Sequence, residues 1–186
     1  MKITFILAIA FAASTFNVST KKNVDVVNSE ITWKGRKITG EHEGTIKLQE
    51  GTLHFDGKKQ LTGGTFIMNM SSLNVTDLEG EMKGKLEGHL KSDDFFGTDN
   101  HATSKFVITK VQGKNGKYKV TGDLTIKGIT FPNTFDMTVK ENNTATANLK
   151  VDRTKYEIKY GSASFFDGLK DKAIYDEFEL NVTLKF

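Results

Sequence analysis

The sequence predicts an all-β protein, an antiparallel barrel or sandwich carrying one short helix, on three observations. Apolar and polar residues alternate with a period of two from residue 24 onward. Clusters of Gly, Asn and Asp interrupt that alternation at fairly regular spacing. No segment supplies the long helices needed to cover a parallel sheet. Composition agrees, since 17 Gly against one Pro suits many turns joining strands that need all their amide donors. Apolar residues are only 37% of the 186-residue chain, yet there are 14 Phe, so an aromatic core on one face of each strand is expected. A barrel is preferred to a sandwich because closure removes edges that would otherwise recruit other chains. The length suits one domain.

Residues 1–20 stand apart. Lys2 precedes the apolar run Ile3, Phe5, Ile6, Leu7, Ala8, Ile9, Ala10 and Phe11, followed by the small residues Ala12, Ala13 and Ser14. That order reads as a secretory signal, with cleavage between Ala12 and Thr20 and a folded domain over 21–186. The run is too short to span a bilayer, so no transmembrane segment is expected in the mature chain. An exported domain with no cysteine must be stabilised by its own core, which suits a bacterial periplasm. The five Asn-x-Ser/Thr triplets, beginning at Asn17, Asn69, Asn74, Asn142 and Asn181, read as chance occurrences.

Taken in order, Ile31, Trp33 and Gly35 share the first strand's inner face, and His42, Gly44, Ile46 and Leu48 the second's. Glu50 and Gly51 are expected to turn the chain into a strand with Leu53 and Phe55. Asp56-Gly57 reads as a tight hairpin turn. Phe66, Met68, Met70 and Ser72 form the clearest amphipathic strand. Between residues 78 and 91 the period changes: Leu78, Met82, Leu86 and Leu90 recur every four residues, predicting a short amphipathic helix. Gly80, Gly84 and Gly88 weaken it by about 1 kcal/mol each against Ala. Alternation resumes through Phe106 and Ile108, then Tyr118, Val120, Gly122, Leu124 and Ile126, then Phe135 and Met137. It continues through Ala145, Ala147, Leu149 and Val151, then Tyr156, Ile158 and Tyr160, and ends with Phe178, Leu180, Val182 and Leu184. Gly113–Gly116 and Glu141–Asn143 read as turns, and 164–173 as irregular. The count is eight or nine strands.

Several chemistries lack their residues. There is no Cys, no G-x-S-x-G elbow and no glycine-rich phosphate loop, so no enzyme is expected. His42, His54, His89 and His101 fall in no metal-ligand spacing, and neither metal nor cofactor is expected. The formal charge of +3, or +2 without Lys2, is well mixed, and no basic block with interleaved aromatics suggests nucleic acid. His89 reads either as a hydrogen-bonding tie between helix and barrel or as a contact to a ligand head group. Asp152 and Arg153 read as an ion pair locking a strand end, or Arg153 joins Lys127 in meeting a pyrophosphate.

Several strings, in order along nearly the whole mature chain, resemble the YceI-like family of periplasmic lipocalin-like proteins. They are Val26, Ser29, Ile31 and Trp33; Gly63, Gly64 and Phe66 leading to Met68-Asn69-Met70-Ser71-Ser72-Leu73; and Gly88-His89-Leu90-Lys91-Ser92-Asp93-Asp94-Phe95-Phe96. Ala102, Ser104, Lys105 and Phe106 follow, then Val120–Thr130, Asp152-Arg153-Thr154 and Phe178-Glu179-Leu180-Asn181-Val182. The resemblance implies an eight-stranded antiparallel lipocalin-like barrel that stores or transports a long-chain apolar lipid, a polyisoprenoid such as a quinone or polyprenyl phosphate. An eight-stranded barrel holds either packed side chains or one small ligand. On this reading the ligand meets Trp33, Phe55, Phe66, Met68, Met70, Met82, Leu86, His89, Phe95, Phe96, Phe106, Leu124, Ile126, Phe135, Met137 and Arg153. Flexible thioethers suit an irregular ligand. The alternative is a structural or stress-response interaction module with a filled barrel. Homodimerisation is left open.

Overall fold

The structure, a computed structural model, describes residues 19–186. Residues 1–18, most of the expected export signal, lie outside the described residues. The strands are β1 (Thr20–Asn23), β2 (Asp25–Lys37), β3 (Gly40–Phe55), β4 (Leu61–Val75), β5 (Thr103–Lys114), β6 (Lys117–Ile126), β7 (Ile129–Lys140), β8 (Thr144–Asp152) and β9 (Ile174–Lys185). Helix α1 (Gly80–Lys91) joins β4 to β5, and short 3-10 turns occupy Arg153–Tyr156 and Lys170–Lys172. All pairings are antiparallel, in the order β1-β3-β2-β9-β8-β7-β6-β5-β4, and β4 returns to β3. β1 and β2 lie end to end along the same edge of β3, facing Thr52–Phe55 and Gly40–Thr45 respectively. The result is a closed eight-stranded barrel.

The bulge at the start of β2, between Asp25 and Glu30, has a local cause. The Asp25 carboxylate accepts the amides of Val27 and Asn28, both at 3.1 Å, and Ser29 Oγ donates to the Asp25 carbonyl at 2.6 Å. These side-chain bonds compete with the ladder and fold the chain into a bulge. A second bulge interrupts β4, where Asn69 pairs with Lys47 but Asn74 pairs with Thr45. Ser72 Oγ fills the gap, accepting the Lys47 amide at 2.8 Å and donating to the Asn69 carbonyl at 2.6 Å. Met70 and Leu73 are consequently the buried residues of this stretch, and Ser72 leaves the inner face it was expected to share.

Three further expectations change. Glu50 and Gly51 do not turn the chain: β3 passes through them with a bulge and bends, so Leu53 and Phe55 belong to the same strand as His42. Asp56-Gly57 opens a longer loop, because the Asp56 carboxylate accepts the amides of both Lys58 (2.9 Å) and Gln60 (2.8 Å). Tyr156, Ile158 and Tyr160 form no strand, since Asp152 accepts the Thr154 amide at 3.0 Å and starts a 3-10 turn. Asn115-Gly116 does form a two-residue hairpin turn, both residues having positive φ (55° and 79°).

The two ends of the barrel differ. At one end the strand termini pack solidly. Phe55 stacks on Phe186 at 5.7 Å, Lys22 Nζ lies 5.1 Å from the Phe186 centroid, and Leu53 is fully buried. Tyr118 Oη accepts the Leu61 amide at 3.3 Å and donates to Gln60 Oε1 at 3.2 Å. The other end is roofed by α1, by residues 92–102 and by the 153–173 segment. No helix among the described residues is long and apolar enough to cross a membrane.

Closure requires β2 and β4 to approach β3 closely at Gly44. A Cβ there would stand 1.9 Å from the Asn74 carbonyl oxygen and 2.6 Å from Trp33 Cζ2. Gly44→Ala should therefore destabilise the barrel by about 2 kcal/mol or more in urea unfolding. Gly35→Ala, where nothing lies within 4 Å of the added carbon, should leave the midpoint nearly unchanged.

Candidate functional site

Because strand side chains alternate between faces, the inward rows converge on the barrel axis. β2 contributes Ile31 and Trp33, β3 contributes Ile46 and Leu48, and β4 contributes Phe66, Met68, Met70 and Leu73. β5 adds Phe106 and Ile108, β6 Leu124 and Ile126, and β7 Phe135 and Met137. β8 adds Ala147 and Leu149, and β9 adds Phe178, Leu180, Val182 and Leu184. These side chains leave a predominantly apolar cavity of about 580 Å³, within the roughly 300–1,000 Å³ usual for small-molecule sites. Packing at the opposite end places the mouth among the roofing segments. Arg36, Lys37, Thr39 and His42 border it from the β2–β3 hairpin, and Asp171, Lys172, Tyr175 and Glu177 from the other side.

The roof is aromatic. His89 on α1 meets Phe95 edge-on at 4.9 Å and Tyr160 at 4.5 Å, and Phe96 meets Phe178 at 6.1 Å. The His89 ring is held by these faces, so its tie to the barrel is aromatic packing in place of the expected hydrogen bond. Helix α1 itself is anchored by Glu87, whose Oε1 accepts the Val75 amide at 2.8 Å.

Fourteen of the sixteen residues expected to meet a ligand line this cavity: Trp33, Phe66, Met68, Met70, Leu86, His89, Phe95, Phe96, Phe106, Leu124, Ile126, Phe135, Met137 and Arg153. Phe55 and Met82 do not. Phe55 belongs to the packed end, against Phe186. Met82 is 62% exposed, because four residues of helix turn through about 400°, so a four-residue step drifts by about 40° and two steps carry Met82 off the face of Leu90. Trp33 rests its ring over Gly44. Its Nε1 is buried with no hydrogen-bond partner among the described residues, so packing alone orients the indole. The cavity also recruits Tyr160 from the irregular 153–173 region, which strand periodicity does not reach, and Ile174 and Tyr175 from the start of β9.

Arg153 borders the cavity and is only 3% exposed. Its Nη1 donates to the Ile158 carbonyl at 2.7 Å, its Nη2 to Ile174 at 3.0 Å and its Nε to Tyr175 at 3.0 Å. The guanidinium also lies 5.7 Å from the Phe95 centroid and 3.7 Å from Asp176 Oδ1. Asp152, expected as its ion-pair partner, instead caps the following turn and accepts Thr154 Oγ1 at 2.6 Å. Lys127 donates to the Asp93 carbonyl at 2.7 Å and does not line the cavity, so the expected pairing of Lys127 with Arg153 is not formed. Burial pulls the Arg153 pKa down and the Asp176 charge partly offsets it. Burial pushes the Asp176 carboxyl up, but the neighbouring serine hydroxyls, of which Ser164 Oγ donates to Oδ2, and the Arg153 charge outweigh it, leaving the group below its ordinary value. Burial raises the Tyr156 pKa to about 12. Among the described residues, no three His, Asp or Glu side chains are placed to share a metal ion.

Arg153→Met should cost about 3 kcal/mol, because one buried and two partly buried carbonyls lose a charged donor. Amide exchange at Ile158 and Ile174 should accelerate in that variant, and Arg153→Lys should not restore protection, since one ammonium lacks the planar fork. The depressed Asp176 pKa contributes stability that is complete above the unfolded carboxylate value and is lost as pH falls through the folded one. Asp176→Asn should therefore flatten the acid limb of the stability profile below about pH 4.

The family model described as the YceI-like domain matches residues 23–186. A UPF0312 protein of Photorhabdus laumondii is 33% identical over 90 residues, covering 48% of this chain and 44% of the relative. One from Staphylococcus epidermidis is 37% identical over 127 residues, covering 63% and 64%. The chain thus covers less than two thirds of the length of these relatives. The crystal structure of Burkholderia cenocepacia BcnA superposes with a TM-score of 0.68 at 24% identity, covering 87% of this chain and 98% of that one. A polyisoprenoid binding domain from Saccharophagus degradans gives 0.55 at 11% identity, covering 87% and 95%. The Campylobacter jejuni YCEI protein gives 0.54 at 17% identity, covering 98% and 96%. At these identities the solved structures speak for the fold alone, whereas the family match spans the barrel from β2 to the last residue: the chain belongs to the YceI-like domain family.

Proposed function

We propose that the protein binds a long apolar lipid inside the barrel and carries or stores it without chemical change. The observation that carries this reading is the 580 Å³ cavity, walled by aromatic, Met and aliphatic side chains and bordered by charge only at its mouth and at the carbonyl-bound Arg153 of the roof. Each buried CH₂ contributes about 0.8 kcal/mol. Several isoprene units therefore offset an association cost of about 4–15 kcal/mol. A polyisoprenoid, either a quinone or a polyprenyl phosphate, fits this reading best, since its tail matches the apolar wall and its head group the polar mouth. The likeness in fold to a solved domain described as polyisoprenoid-binding supports the same class of ligand. The N-terminal apolar run after Lys2 and the lack of cysteine support a periplasmic setting for this exported carrier. The filled-barrel alternative, an interaction module, draws no support from an interior that retains this volume.

Trp33 is the chain's single Trp and lines the cavity, so its fluorescence reports occupancy. Organic extraction of the purified protein, with mass spectrometry, should recover a prenyl lipid. Titration of the extracted protein with geranylgeraniol should change Trp33 emission with micromolar or tighter affinity. Phe135→Ala should weaken that binding roughly tenfold or more, whereas Met82→Ser should leave it unchanged. Failure of both recovery and uptake would sink the proposal.

A further inference from the structure

Nine large hydrophobic residues are conspicuously exposed among the described residues, and five of them, Ile38, Tyr160, Phe165, Phe166 and Tyr175, belong to the two segments around the cavity mouth. Ile38 is 57% exposed at the tip of the β2–β3 hairpin, and Phe165 and Phe166 are 49% and 50% exposed. The segments are tied together: the Ile38 amide donates to the Ala173 carbonyl at 3.1 Å, and the Ile174 amide to Gly161 at 2.8 Å. The Phe165-Phe166 turn is itself fixed. Both amides donate to the Ser162 carbonyl, at 3.2 and 3.0 Å, and Ser164 Oγ donates to Asp176 Oδ2 at 2.5 Å. Ordered turns therefore hold these rings outward at the lip of an apolar cavity.

We propose that this end of the barrel docks on the surface of an anionic lipid bilayer, with Ile38, Phe165 and Phe166 entering the interface. The inference rests on the lipid-binding reading of the cavity. Lys37, Lys170 and Lys172 stand on the same rim, exposed and without an ion-pair partner among the described residues. Lys159 lies 4.8 Å from the Phe165 centroid and pairs with Glu157 at 2.6 Å. Apolar and aromatic side chains flanked by lysines are the anchors that interfacial binding uses. Asp167 and Asp171 balance Lys170 and Lys172 within the 160–175 segment, which leaves Lys37 as the excess positive charge of these two segments. Insertion of the rings carries the binding, and the lysines bias it toward anionic lipid. Water-insoluble cargo supplies the complementary reason, because a mouth seated on a membrane lets a prenyl chain pass from acyl tails to cavity wall without crossing water.

The test is flotation of the purified protein with vesicles of phosphatidylcholine, alone or mixed with phosphatidylglycerol. The mixed vesicles should carry the protein up, and the pure ones should retain less of it. Phe165→Ser with Phe166→Ser should lower vesicle affinity about tenfold or more. Lys170→Gln, which leaves the cavity lining intact, should lower it about fivefold on the mixed vesicles only. Val27→Ser, at the opposite end of β2, should have no effect. All variants should still take up geranylgeraniol delivered in detergent, read by Trp33 emission, which also establishes that they are folded. A protein that takes up geranylgeraniol but floats with neither vesicle overturns membrane docking, favours hand-over through a protein partner and leaves the cavity reading intact. Equal loss in the Phe and Val27 variants also overturns it. Flotation that depends on Phe165 and Phe166 without any uptake supports the docking surface and removes its cargo.

Discussion

The feature on which the rest of this molecule depends is the seam along β3. This 16-residue strand pairs with β1 and β2 on one side and with β4 on the other, and through it the sheet becomes a cylinder. Closure spares an antiparallel sheet the exposed edge that would pair with other chains. It also fixes an interior whose width follows from the number of strands. The seam is not regular: Gly44 lets the Trp33 ring and the β4 backbone come close, and bulges in β3 and β4 bend the wall. Those irregularities bring both Met70 and Leu73 inward, which an uninterrupted alternation forbids.

Once closed, the cylinder is finished differently at its two ends. Phe55, Phe186, Tyr118 and Leu53 pack one end as an ordinary core. At the other end, roofing segments replace strand side chains, and they need an anchor of their own. Arg153 supplies it by gathering the carbonyls of Ile158, Ile174 and Tyr175 around one guanidinium. A buried cation is costly in an apolar setting unless its donors are matched. Three carbonyls, the nearby Asp176 and the Phe95 ring match it here. The polar residue beside the cavity is therefore first a structural clamp, and it holds in place the segment from which Tyr160, Ile174 and Tyr175 reach the cavity.

This division of labour suits a container for apolar cargo. The wall offers adaptable surface in Met68, Met70 and Met137 beside rigid rings such as Phe106 and Phe135, 5.3 Å apart. Apart from Arg153, charge is confined to the mouth, where Lys37, Asp171 and Lys172 meet solvent. The same segments expose Ile38, Phe165 and Phe166, so entry to the cavity and contact with an apolar phase occupy one end.

The sequence by itself determined the antiparallel barrel, the extent of α1 to within a few residues, and most of the cavity wall. A period of two marks an inner face wherever a strand runs straight, as in β6 and β9. The strings from Val26 to Val182 also carried the family resemblance. Only the tertiary structure decided what happens where side chains compete with the ladder. Asp25, Asp56, Ser72 and Asp152 each capture backbone groups and create a bulge or turn, which moved Ser72 off the inner row and ended the expected Tyr156–Tyr160 strand. It alone separated Phe55 and Met82 from the cavity: membership of an inner row does not specify depth along the barrel, and a step of four does not stay on one helical face. The mouth was least legible, because it is assembled from segments distant in sequence whose placement depends on long-range contacts to Arg153.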